Sequence, residues 1–199
     1  VSSRTIEIER KFDVDPGTPV PDWSTIPGVA SVSAGEKRHL DATYLDTPSA
    51  DLARAGYALR RRTGGPDAGW HIKGPLVDGG RVELHWPLAD GVPPEALAEL
   101  ATLTDGSNLA PLARIVNDRV AYELRGADGG ILAEFVDDRV ETTDERSGAR
   151  RAWCEWEIEL GPAAPGDRDA FFAEVERVAL AAGATAPSSA SKLARALGA

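Results

Sequence analysis

The chain has 199 residues, 42% hydrophobic and 27% charged, with a formal net charge of −10. That is enough chain to bury a sizeable core as one domain over 1–199, and its acidic balance argues against nucleic acid or an anionic membrane surface as partner. A single cysteine excludes an internal disulfide, no apolar run approaches the ~20 residues that span a bilayer, and no signal-peptide pattern is present, so a cytoplasmic protein is the expectation.

Residues 6–12 alternate with period two and read as a strand. Pro16 to Pro27 is turn-rich, with a short helix expected over 21–26. A strand over 37–46 leads into Thr47-Pro48-Ser49, which opens a short helix over 50–55 that Gly56 stops. Strands follow at 57–62, 70–73 and 81–88, separated by Gly64-Gly65-Pro66 and Gly79-Gly80. A helix is expected over 93–103. Residues 115–124 and 131–140 flank Ala127-Asp128-Gly129-Gly130 and read as a hairpin. The last strand is 153–160. Helices close the pattern at 167–182, where Phe171, Val175, Val178, Ala179 and Ala182 form one stripe, and at 188–197. Short strands joined by tight turns imply an antiparallel sheet or barrel, with helices covering the outer apolar faces.

Nearly every strand has one charged and one apolar face. In the first, Glu7, Glu9 and Lys11 lie opposite Ile6, Ile8, Arg10 and Phe12, and successive same-face charges stand about 7 Å apart. Arg60 shares a face with Arg62, His71 with Lys73, and Arg81 with Glu83 and His85. Arg119 aligns with Ala121 and Glu123, Glu134 with Val136 and Asp138, and Glu155 with Glu157 and Glu159. Charged faces of this kind ordinarily meet solvent. The acidic ladders have few interleaved bases, however, and like charges side by side destabilise a sheet. They make sense if the charged faces converge on one lumen, where carboxylates hold a hard divalent cation and the bases bind a phosphate chain.

Glu7-Ile8-Glu9-Arg10-Lys11 resembles the Glu-x-Glu-x-Lys signature of the CYTH superfamily, the triphosphate tunnel metalloenzymes. The later motifs are similar in order: Tyr44-Leu45-Asp46-Thr47-Pro48, Leu59-Arg60-Arg61-Arg62, Ile72-Lys73-Gly74-Pro75 and Arg81-Val82-Glu83. Arg119, Asp137-Asp138-Arg139-Val140, the run 155–160 and Ser191-Lys192 complete the set. The likeness implies an α+β fold, a closed eight-stranded antiparallel β-barrel with a charged interior and helices packed outside. It implies a metal-dependent enzyme acting on a small-molecule triphosphate with Mg²⁺ or Mn²⁺. By the same likeness Glu7, Glu9, Glu83, Asp138, Glu157 and Glu159 are metal-side carboxylates, with Asp137 the alternative to Asp138 because adjacent strand residues face opposite ways. Lys11, Arg60, Arg62, Lys73, Arg81, Arg119 and Lys192 are the triphosphate-binding set, and Glu7, Glu9, Lys11 and Lys192 the catalytic one. Asn117 departs from the pattern, since many members carry a base there, and Arg114 is the expected substitute.

The expected reaction is hydrolysis of the terminal phosphate, with inorganic triphosphate the leading substrate. Class IV adenylate cyclase, thiamine triphosphatase and a non-catalytic polyphosphate- or nucleotide-binding module are the alternatives. A thiamine head needs an aromatic platform, for which Trp23, Trp70, Trp86, Trp153 and Trp156 are available. His39, His71 and His85 lack zinc spacing, and Cys154 on the apolar face of its strand reads as packing.

Overall fold

Alternating strands with tight turns build one antiparallel, barrel-like sheet. The computed structural model describes residues 3–198. In chain order these form β1 (Ser3–Glu7), β2 (Glu9–Val14), a 3-10 turn at Trp23–Thr25, β3 (Ser31–Val32), β4 (Glu36–Asp46), α1 (Asp51–Arg54), β5 (Ala58–Thr63) and β6 (Gly69–Val77). They continue with β7 (Gly80–Pro87), α2 (Pro94–Thr104), β8 (Ala110–Arg125), β9 (Ile131–Asp144), β10 (Arg150–Leu160), α3 (Arg168–Ala181) and α4 (Lys192–Leu197). The sheet runs β1-β7-β6-β5-β4-β8-β9-β10-β2, with β3 paired to β8.

The sequence pattern predicts eight strands and the sheet has ten. One extra is the two-residue β3. The other comes from the first run, which breaks at Ile8. Residues up to Glu7 pair with β7, whereas residues from Glu9 pair with β10. One continuous segment thus supplies both ends of the sheet path. The turn between β6 and β7 is a two-residue loop, Asp78-Gly79, with both residues at positive φ (51° and 77°) between the paired Val77 and Gly80. Such a turn matches the right-handed twist of a hairpin, and glycine adopts it without strain.

The outward faces carry most of the core. α3 lays Phe171, Phe172, Val175 and Ala179 over Phe12, Leu124, Phe135, Trp156 and Ile158. α1 and α2 lay Leu52, Ala96 and Leu100 over Leu59, Trp70, Ile72 and Trp86. Burying each such side chain stabilises the fold by roughly 1.5–3 kcal/mol. Ile6, on the apolar face of the first run, is nonetheless 67% exposed, because these helical layers do not extend over β1. α4 departs from the expected arrangement of helices outside. It packs Leu193, Ala196 and Leu197 against Ala42, Tyr44, Ala113, Ile115 and Val140, which are lumen-facing positions at one end of the sheet. Those positions are apolar, so the inner face accepts a helix there.

Helix starts follow from capping. Asp167 accepts from the Ala170 amide (2.9 Å) and Ser191 from that of Ala194 (3.1 Å). Buried Asp46 accepts from the amides of Thr47, Leu52 and Ala53 at 2.7–3.0 Å, so this part of the Tyr44–Pro48 motif anchors α1. No helix among the described residues is long and apolar enough to cross a membrane.

Candidate active site

Strand alternation aims the charged faces inward, around a cavity of about 520 Å³. β4, β5 and β8, in the middle of the sheet path, contribute Arg38, Arg60, Arg62 and Arg119. β1, β2 and β10, at its two ends, contribute Glu7, Glu9, Glu157 and Glu159. The acids thus come from the two end regions of the sheet path and the arginines from its middle. Lys11, Lys73, Arg81 and Lys192 also line the cavity.

The remaining expected carboxylates do not reach the cavity wall. Glu83 and Asp138 are buried behind the cations. Glu83 holds Lys73 (3.1 Å) and Arg60 (3.3 Å), and also meets His71 Nδ1. Asp138 accepts two bonds from Arg119, from Nε and Nη2, both 2.7 Å. The choice between the two aspartates is therefore decided for direction: Asp138 points in, while Asp137 accepts from Trp156 Nε1 (3.1 Å). Both inward acids are thus paired with cations that line the cavity.

A second network joins Lys11 to Glu157 (2.5 Å) and Glu9 (3.1 Å), and Arg119 to Glu157 (3.1 Å). Asp138, Glu155 and Glu157 bring carboxylate oxygens within 4.8 Å of one another, a spacing that can hold a cation. The Lys192 ammonium stands among them, 3.0 Å from Asp138 and 2.8 Å from Glu157, and it also pairs with Glu155. Burial works against the charges of this network. The Lys11, Lys192 and Arg119 cations nevertheless hold Glu157 well below the ordinary carboxylate range, and Lys192 and Arg119 also lower Asp138. In return Glu157 raises Lys11 and Lys192 above the usual lysine value.

Glu7 and Glu159 are less well neutralised. Burial raises Glu7 to about 8, helped by its hydrogen bond with Glu83, while Lys73, 2.6 Å away, pulls the other way. Burial raises Glu159 to about 7, reinforced by the charge of Glu9. Burial also disfavours ionised Glu83, but bonds with His71 and Glu7 and the charges of Lys73 and Arg60 win and hold it anionic. Among the arginines, burial and the nearby charges of Arg60 and Arg119 pull Arg62 down to about 9. Burial also opposes the charges of Arg60 and Arg119, but Tyr44 and Glu83 raise the first and Asp138 the second above the usual arginine value, so the shortage of negative charge is confined to Arg62.

Residues 5–196 match the CYTH domain family. The chain belongs to the CYTH family. It is 40% identical over 213 residues to an uncharacterized protein of Mycobacterium tuberculosis strain CDC 1551, and equally to one of strain H37Rv. These matches cover 99% of the chain, which spans only 41% of the length of those relatives. Among solved structures, a protein of Pyrococcus horikoshii OT3 superposes with a TM-score of 0.61 at 18% identity, covering 96% of this chain and 98% of that one. A candidate adenylate cyclase of Bacillus halodurans gives 0.58 at 16% identity, covering 96% and 97%. A candidate adenylyl cyclase of Hippeastrum, described as having a dominant triphosphatase activity, gives 0.52 at 17%, covering 97% and 95%. At these identities the likeness is one of fold.

CYTH proteins are typically metal-dependent enzymes that process triphosphates. The residues here suit a divalent cation. Glu7, Glu9 and Glu159 line the cavity and would offer a hard cation the carboxylate oxygens it takes as ligands. The inner triad suits one less, because Lys192 already neutralises it.

Sequence reasoning missed Arg38. It lines the cavity in register with Arg119 and pairs with Glu36 (3.0 Å) and Glu134 (3.2 Å). Its even-numbered alternation with Tyr44 along β4 was the available signal. The base absent at Asn117 is therefore matched by Arg38 on the neighbouring strand. Arg114 is exposed and pairs with Asp41, 2.5 Å away. Asn117 itself is buried and donates to Asp138 (3.3 Å). The tryptophans also fall elsewhere. Trp23, Trp70, Trp86 and Trp156 are core residues, Trp153 packs beside α4, and the aromatic side chains at the cavity are Tyr44 and Tyr57. His39 pairs with Asp118 and Cys154 is half-buried. The triad of potential metal ligands found among the described residues contains no histidine.

Proposed function

We propose that the protein is a metal-dependent triphosphatase that removes the terminal phosphate of inorganic triphosphate. The observation that carries this reading is one cavity lined by Arg38, Arg60, Arg62 and Arg119 together with Glu7, Glu9, Glu157 and Glu159. We also read the sheet as a closed tunnel. Eight strands surround the lumen when the β1–β2 segment counts once and β3 is set aside.

In this reading Arg38, Arg60, Arg62, Lys73, Arg81 and Arg119 hold the phosphate chain through charge-assisted hydrogen bonds. Phosphoryl transfer asks chiefly for positioning and charge neutralisation, which such a clamp provides. Glu83 and Asp138 fix the angles of Arg60, Lys73 and Arg119. Lys11 and Lys192, held by Glu157, offset the charge that gathers on the reacting phosphate. Glu7, Glu9 and Glu159, with Glu157, are the residues to hold Mg²⁺ or Mn²⁺, which when bound supplies positive charge against the phosphate oxygens. As a water oxygen bonds to the terminal phosphorus, the bridging P–O bond breaks and pyrophosphate leaves. The proton lost by the water passes to one of those carboxylates.

The test is orthophosphate release from inorganic triphosphate with Mg²⁺ or Mn²⁺, lost in excess EDTA and sharply reduced in Glu159→Gln. Cyclic AMP from ATP without orthophosphate from triphosphate would replace the hydrolase with a cyclase. Tight binding without product would leave a binding module. One observation favours a second reading. Tyr57, Leu193 and Leu197 make part of the cavity apolar, which an inorganic chain cannot use. An organic triphosphate, thiamine triphosphate among them, belongs in the same assay.

A further inference from the structure

Arg62 differs from Arg60, Lys73, Arg119, Lys11 and Lys192 in what neutralises it, and shares with Arg38 a partner exposed to water. Arg60 and Lys73 share buried Glu83, Arg119 holds buried Asp138, and Lys11 and Lys192 share Glu157. The Arg62 side chain is just as enclosed, 9% exposed, yet its ion pair among the described residues is with Asp67, whose side chain is 52% exposed. Its Nε is buried and has no hydrogen-bond partner among the described residues.

Asp67 lies in the turn between β5 and β6 and lines the same cavity as Arg62. Its backbone carbonyl lies 2.9 Å from His71 Nε2, a contact that does not involve the carboxylate. Rotating one side chain therefore frees Arg62 without moving the backbone. The two partners lose unequally on separation. A half-exposed carboxylate recovers its hydration in water, whereas an enclosed guanidinium left unpaired keeps an uncompensated charge. Arg62 thus requires an anion, and Asp67 is an exchangeable one.

We propose that Asp67 sets ligand affinity at this site, its carboxylate filling the anion seat of Arg62 until a phosphate group of the ligand displaces it. This rests on the triphosphate reading of the cavity. Every phosphate that reaches Arg62 must then compete with an internal carboxylate, so removing the carboxylate tightens binding. A merely supportive Asp67 predicts the opposite sign, because losing a support loosens the clamp.

The experiment is calorimetric titration of inorganic tripolyphosphate, in EDTA to prevent turnover, into the wild-type chain, Asp67→Asn, Arg62→Gln and the double variant, each first checked for an unchanged circular-dichroism spectrum. Asp67→Asn is expected to bind about three- to tenfold tighter, the scale of a partly exposed ion pair. In the Arg62→Gln background the gain should vanish. Equal or weaker binding by Asp67→Asn would overturn the proposal. So would a gain that persists without Arg62, which marks a general effect of net charge. Absence of binding by all four proteins, with no orthophosphate release from tripolyphosphate in Mg²⁺ or Mn²⁺, would refute the triphosphate reading itself and this inference with it, whereas wild-type binding without the Asp67→Asn gain refutes the inference alone.

Discussion

Replacing Lys192 with methionine tests the internal ion network without any assumption about the substrate. Lys192→Met keeps the helix propensity and apolar stem of α4 but removes the ammonium from among Asp138, Glu155 and Glu157. The three acid side chains are 0%, 8% and 12% exposed, so water cannot replace the lost cation. Removing one partner from a buried ion pair typically costs 3–5 kcal/mol. Arg119 still holds Asp138 and Glu157, and Lys11 still holds Glu157, which places the expected loss at the lower end, about 3 kcal/mol. For a chain of this size that is a fall in Tm of roughly 6–12 °C. The loss has a definite pH sign. Without Lys192 the buried acids have raised proton affinities in the folded state, so the stabilised form is the protonated one. The deficit against wild type should be small near pH 5 and grow toward pH 8 as those protons leave. Urea denaturation at the two pH values measures it. A variant within 0.5 kcal/mol of wild type at pH 8, or a deficit larger at pH 5 than at pH 8, would falsify the network.

Two further predictions follow from the same geometry. Arg38→Gln should weaken tripolyphosphate binding by about 1.5–3 kcal/mol, the scale of a hydrogen bond to a charged group, while Arg114→Gln leaves it unchanged. Titration of both variants decides whether Arg38 stands in for the base absent at Asn117, and equal losses would refute that. In the metal-free protein the Glu7 value of about 8, against an ordinary 4.5, means that the folded chain keeps a proton the unfolded chain has released. Stability should therefore decline as pH rises from about 4.5 to 8. Glu7→Gln or saturating Mg²⁺ should flatten that slope, and a slope unaffected by either would exclude Glu7 as its source.

What the sequence by itself determined was which residues share a face. Period-two alternation is a local property of strand backbone, so the grouping of Glu7 with Glu9 and Lys11, of Arg60 with Arg62, and of Glu155 with Glu157 and Glu159 needs no knowledge of the fold. The ordered motifs then pointed to the CYTH family and to a charged lumen. Tertiary structure alone decided which charges meet. Lys11 and Glu157 are 146 residues apart, and whether a carboxylate lies open at the cavity or buried beneath a cation depends on such pairings. That is why Glu83 and Asp138 lie buried against Arg60, Lys73 and Arg119, and why Arg38 lines the cavity while Arg114 stays outside. The break at Ile8 had the same origin. Its two flanks have one alternating pattern but different partners, β7 and β10, and strand pairing is not written in the period. The position of α4 was equally out of reach. Its apolar stripe states only that the helix must be covered, while the inward apolar patch of Ala42, Tyr44 and Ile115 that covers it, and so delivers Lys192 to the acids, exists only once β4 and β8 lie side by side.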